Sequence, residues 1–414
     1  MNGHMHISYA HPVRGIFPDE MASPLNHVFN LQAAMTEEEE YHASLLGIVE
    51  LLKSGTVCFV DPGSTKFPDA CLQAYEDSGI RVIMGECVTD IQAPWNLPKH
   101  ATGEAVRRTA AFIDKWNGRL DGRLTAWAMP FSPETCTAEL LSELKKVVDE
   151  RRTMLTLHHN SGAQQRKDYQ ARHGRRPTEY LESLGVVGPN VLLAHVLGID
   201  DAEIDCIART RTAVAMCPIT AAKGGRGVPE HGRMPELLAK GVKIALGADS
   251  PNNCNHLDMV RVMNMAAIQY KDARQDTRQI PAEAALEMAT LSGRRGARPG
   301  RSARLHRGRE EGRLRALRHG AAGVAGDVEP GEQPGLQRRR QERAHGDRGR
   351  PRRGRRVPPI VRGRAEALRQ GAGDRRAASG EDRHHLPALP LADRLTGVIR
   401  REAPRPSCST GRAH

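Results

Sequence analysis

Aromatic residues are scarce in this 414-residue chain: six Phe, six Tyr and three Trp make up 4% of it. With 39% hydrophobic content and a net charge of +12, the chain read whole suggests a basic or partly unfolded polypeptide rather than an enzyme. Other absences narrow the reading. None of the eight cysteines forms a CxxC pair, and most stand in apolar runs such as TVCFV and AVAMCP. That excludes a disulfide scaffold and predicts reduced thiols in the cytoplasm. No apolar run is long enough to span a membrane, and no secretory signal is recognisable, so no membrane partner is expected. No GxGxxG or Walker sequence follows the first β-like run, which argues against dinucleotide and P-loop sites.

The low averages come from joining two compositions. The last Lys is Lys271 and the last aromatic is Tyr270. Residues 291–414 hold 31 Arg against 13 acidic residues, a net charge of +18, leaving 30 basic and 36 acidic residues in 1–290, a net charge of −6. The expected organisation is therefore a mildly acidic globular domain over 1–292 and an Arg/Gly/Pro-rich low-complexity tail over 293–414. The tail is expected to be disordered, because it has too little apolar surface to offset the entropy of ordering. Its arginines alone would bind phosphate without specificity, and no aromatic accompanies them to stack on bases. A specific nucleic-acid partner is not expected.

Within residues 1–290, short β-branched runs alternate with amphipathic stretches. TVCFVD, RVIMGE, RLTAWAM, MLTLHH, NVLLAH, AVAMCP and VKIALGAD read as buried parallel strands, and the opening NGHMHIS supplies an eighth. Helical patterns lie between them, among them TEEEEYHASLLGIVELLKSG, FPDACLQAYEDSG and MPELLAKG, which end at Gly55, Gly79 and Gly241 as helix C-termini do. Eight strands alternating with helices predict an α/β fold of the (β/α)8 TIM-barrel type.

In such a barrel the working side chains stand at the C-terminal strand ends. Those ends carry His4 and His6, His158, His195 and Asp249. His4 and His6 share one face, because side chains alternate along a strand. Imidazoles and a carboxylate suit a divalent metal such as zinc or iron with one position left for water. Each signal has an ordinary explanation taken alone: HxH as two polar residues, a strand-end His as a hydrogen-bonded residue, Asp249 as a helix cap. Five of them at the ends of the first, fifth, sixth and eighth strands, in order, are hard to reconcile with chance. His159 should point away from the site if His158 points in, and is read as structural.

The ordered series HMH, LTLHH, LLAHVLGID, VAMCP and VKIALGADSPNN resembles the amidohydrolase superfamily, in particular its branch of N-heterocycle deaminases and triazine-type chlorohydrolases, over about residues 1–290. The resemblance implies a hydrolase with a small-molecule substrate, cleaving C–N or C–halogen bonds at an electron-poor carbon, and is compatible with a homodimer. It implies one metal, zinc before iron, held by His4, His6, His158 and Asp249. His195 and Asp249 are implied as the catalytic pair, His195 orienting water or substrate. The fourth strand, AWAMPFS, offers no lysine to bridge two metals. One position departs from the pattern. Deaminases of this branch carry a Glu three residues after the fifth-strand histidine, and Ser161 stands there. Glu86, at the end of the third strand, is an alternative proton source.

The resemblance also implies a small β-sandwich built from segments flanking the barrel, and this chain is expected to lack it. HMH stands almost at the start, where a leader is normally found. EEGRLRALRH, from Glu310, can be encoded so that a one-base shift reads KKADFVLFD, similar to the family's C-terminal strand. A frameshifted tail, a missing leader and an inactive truncated gene product are the corresponding expectations.

Overall fold

The computed structural model describes residues 1–290 apart from 10, 17–24 and 94. The low-complexity tail predicted for 293–414, with its disorder and its shifted frame, lies outside the described residues. Strands Cys58–Asp61, Arg81–Met84 and Leu124–Ala126 form one parallel sheet, and Leu155–His159, Val191–His195, Ala213–Met216 and Ile244–Leu246 form another. Two junctions join them. Ala128 bridges Leu155, with Thr156 N–H donating to the Ala128 carbonyl at 3.0 Å. On the other side the opening segment fills the gap: Asn2 bridges Phe59, Met5 N–H reaches the Val60 carbonyl at 2.9 Å, and Gly3 N–H reaches that of Leu246 at 2.7 Å. Counting that segment first, eight parallel positions close into a ring, in the order expected of a (β/α)8 barrel. Strands Cys87–Val88 and Met129–Pro130 pair beside it as an extension.

Closure depends on a close approach. A Cβ on Gly3 would stand 2.6 Å from that of Ala245, and one on Gly247 would meet the His4 carbonyl and Cys217 Sγ, each at 2.9 Å. Only glycine lets the last strand lie this near the backbone that carries His4.

Alternation divides the core into two layers. Val60, Ile83, Trp127, Leu192, Ala194 and Ala215 cluster on the barrel side, whereas Phe59, Val82, Leu157, Leu193 and Val214 join the larger core shared with the helices. The helix Glu37–Lys53 follows a capping box at Thr36 and Glu39, and the helix Pro68–Ser78 stops at Gly79 with φ of 68°. Helices Leu25–Ala34 and Ala163–His173 were not anticipated from the pattern. The second, AQQRKDYQARH, is polar nearly all round, with Tyr169 its one large buried residue, so it shows no stripe to read.

Candidate metal centre

All five predicted residues meet at the C-terminal mouth of the barrel. His4, His6, His195 and Asp249 are buried to 9% exposure or less, and His158 is half-buried. Two triads, His4–His158–His195 and His4–His6–Asp249, each bring one ligand atom per residue within 4.8 Å of one another. His6 Nε2 lies 3.1 Å from His158 Nε2, and Asp249 Oδ1 lies 3.8 Å from His4 Nε2 and 3.7 Å from His6 Nε2. Ligand atoms bound about 2.0–2.2 Å from one zinc ion stand roughly 3–4 Å apart, so this spacing fits a single cation.

The local chemistry points the same way. Both ring nitrogens of His4 are buried without a hydrogen-bond partner, a costly arrangement unless a lone pair has another use. Burial holds the imidazoles neutral, as ligands must be: His4 is lowered to about 3 and His158 to about 4, with His6 and His195 well below their usual value. Burial also raises Asp249, against an opposing pull from His158 and the Ser250 N–H. The residues present therefore fit one divalent cation.

Neighbours that the motif series did not indicate orient the cluster. Ser64 Oγ pairs with His6 Nδ1 at 2.5 Å, and the Phe131 carbonyl lies 2.8 Å from His158 Nδ1. Each leaves the other ring nitrogen facing inward, the usual way a ligand imidazole is aimed. Ser64 follows the second strand in DPGST, so the strand-end rule applied to serines would have found it. Asp249 is held by the Ser250 N–H at 2.8 Å and by Asn253 Nδ2 at 3.2 Å. Tyr9, Phe29, Trp95 and Phe131 form an aromatic group beside His6 and His158, with the Phe131 ring centroid 4.5 Å from that of His158.

His195 did not reach this cluster by alternation. It pairs in register with His159, and Leu193, two residues earlier, belongs to the outer core. His159 follows the rule: it is fully buried in the outer layer, and its Nε2 meets Thr178 Oγ1 at 3.1 Å. His195 instead has φ of 78° and Val196 φ of 51°, left-handed values that cost on the order of 1–3 kcal/mol each outside glycine. The reversal brings the His195 ring centroid within 5.1 Å of that of His4 and 5.5 Å of that of His158. Asn160 and Asp249 are left-handed too, with φ of 47° and 61°, so the strain gathers at the strand ends around the cluster. Of the residues weighed as proton sources, Glu86 is committed to an ion pair with Arg108. Ser161 Oγ donates to Gln165 Oε1 at 3.2 Å.

The sequence matches the model of the amidohydrolase family over residues 1–295. The chain belongs to the amidohydrolase family. It is 31% identical over 297 residues to a 5'-deoxyadenosine deaminase of Methanothermobacter thermautotrophicus, covering 71% of this chain and 67% of that one. It is 29% identical over 269 residues to a 5-methylthioadenosine/S-adenosylhomocysteine deaminase of Syntrophobacter fumaroxidans, covering 65% and 59%. This amidohydrolase thus spans about three fifths to two thirds of the length of such relatives. Among solved structures, an adenosine deaminase from Xanthomonas campestris with bound zinc superposes with a TM-score of 0.64 at 26% identity, covering 71% of this chain and 65% of that one. The atrazine chlorohydrolase of Arthrobacter aurescens TC1, complexed with zinc, shares the fold with a TM-score of 0.66 at 20% identity, covering 72% and 70%. No helix among the described residues is long and apolar enough to cross a membrane.

Proposed function

We propose that this amidohydrolase is a single-metal hydrolase that cleaves a C–N or C–halogen bond at an electron-poor carbon of an N-heterocycle or amide. The observation that carries the reading is the convergence of His4, His6, His158, His195 and Asp249 in two triads that share His4, with both His4 nitrogens unpartnered. His4, His6, His158 and Asp249 would hold the cation, zinc before iron, since imidazole and carboxylate suit both. When bound, the metal supplies a water of lowered pKa and a Lewis acid at the carbon under attack. Asp249 would accept a proton from the attacking water: burial raises its carboxyl, and Asn253 and Ser250 fix the orientation of its oxygens. His195, kept neutral by burial and by the neighbouring imidazoles, orients water or the substrate's ring. The aromatic group of Tyr9, Phe29, Trp95 and Phe131 favours a flat ring as substrate. It draws four of the chain's fifteen aromatic residues to one side of the cluster.

We assign this activity to residues 1–292 and no site residue to 293–414, a division that the family match, ending at residue 295, supports. A cytoplasmic location fits the cysteines among the described residues, six of which are buried thiols. The test is to load the full chain with zinc and measure ammonia release from 5'-deoxyadenosine, 5'-methylthioadenosine and S-adenosylhomocysteine, and chloride release from chlorotriazines. Turnover of at least one substrate, abolished by chelation and restored by zinc, is expected. A zinc-loaded protein inert towards the whole panel overturns the reading.

A further inference from the structure

Ser161, where deaminases of the branch carry Glu, is gripped from two sides. Gln165 Oε1 accepts from the Ser161 N–H at 2.5 Å, and Gln165 Nε2 donates in turn to Glu134. From the opposite side Arg226 Nη1 donates to the Ser161 carbonyl at 2.6 Å. Arg226 stands in the turn between the helices Pro218–Lys223 and Val228–His231, in the run GGRG, where Gly225 and Gly227 have φ of 60° and 64°. Its Nη1 would lie 3.6 Å from a Cβ on Gly162. A guanidinium is thus fixed three residues past His158, at the rim of the metal centre.

Two observations bear on its role. Among the described residues no carboxylate pairs with it, although Arg14, Arg108, Arg151, Arg176, Arg209, Arg233 and Arg274 each have one. It is exposed, and one N–H on Ser161 leaves the rest of its donor fork free.

Resting on the hydrolase reading, we propose that Arg226 determines substrate specificity by binding a carboxylate carried by the substrate beside the ring or amide presented to the metal. A planar fork with free donors matches a carboxylate bidentately. The nearby Lys223 donates to the Asn252 carbonyl and to Asn255 Oδ1.

The test uses two probes of the same shape, pyrimidine-4-carboxylate and pyrimidine-4-carboxamide, titrated calorimetrically into the zinc-loaded full chain. The carboxylate is expected to bind ~10-fold or more tightly than the amide, a preference that R226Q removes and R226K retains in part. In the wild-type chain, raising salt should weaken the carboxylate and spare the amide, a readout that needs no variant to fold. Equal binding of the two probes by the wild type overturns the proposal. So does a carboxylate preference that survives in R226Q, which would place the anion on the metal itself. A chain that shows the Arg226-dependent preference but turns over nothing sinks the hydrolase reading and leaves only the carboxylate site at Arg226 standing.

Discussion

The barrel mouth and the layer between sheet and helices both contain buried, neutral histidines, yet only one of them reads as a reactive centre. His158 and His159 are consecutive, and burial lowers the first to about 4 and the second to about 3. His159 spends its Nε2 on Thr178 among apolar neighbours, while His158 faces His4, His6 and Asp249. A displaced pKa therefore says that a histidine is buried and says nothing about its use. What distinguishes the mouth is convergence: ring nitrogens of His4, His6 and His158 gather with Asp249, while Ser64 and the Phe131 carbonyl hold the far sides of His6 and His158.

The largest effect that would break this contrast comes from the ligand set. His4→Ala, His6→Ala, His158→Ala and Asp249→Ala should each lower zinc affinity by ~100-fold or more, measured by metal analysis after dialysis against a competing chelator. His159→Ala should leave zinc content unchanged. Full occupancy in a His4→Ala, His6→Ala double variant would remove the opening segment from the centre.

Acid sensitivity comes next. The folded-state pKa of His159 is depressed by burial from 6.5 to about 3, so between those values the unfolded chain binds the extra proton. Stability should therefore fall as pH drops through that window, by ~1.4 kcal/mol per pH unit for this one group. Denaturant unfolding of His159→Gln, compared with the parent from pH 6.5 to 4, should show a shallower slope. An unchanged slope would mean that the outer-layer histidine is not buried neutral.

Ser161→Glu sharpens the comparison within the mouth. Expelling an amine needs a proton and expelling chloride does not, so the substitution should raise the ratio of kcat/KM for amino- over chloro-substituted heterocycles by ~10–100-fold. If the parent deaminates well and the ratio does not move, the proton comes from another group. The smallest effect is expected at Ser64→Ala, which frees the His6 ring and should weaken zinc binding by about 10-fold while fluorescence-monitored stability of the metal-free protein barely changes.

The barrel was readable because each of its strands is a short apolar run between turn residues, and all eight predicted runs occupy a position in the closed ring. His4, His6, His158 and Asp249 were readable for the same reason, since a strand end plus alternation fixes both position and side. Ser64 and Arg226 were not. Neither belongs to a periodic pattern, and each matters through one contact with a residue distant along the chain, Ser64 with His6 and Arg226 with Ser161.

By itself, then, the order of residues determined an alternating α/β chain with histidines and an aspartate at its strand ends, because hydrophobic period and residue chemistry are local properties. The tertiary structure alone decided which of two register-paired histidines serves the mouth. His159 keeps extended geometry and stays in the outer layer, while His195, with φ of 78°, turns towards His4. Alternation describes an unstrained strand, and that left-handed turn persists only where the surrounding packing and hydrogen bonds outweigh its cost.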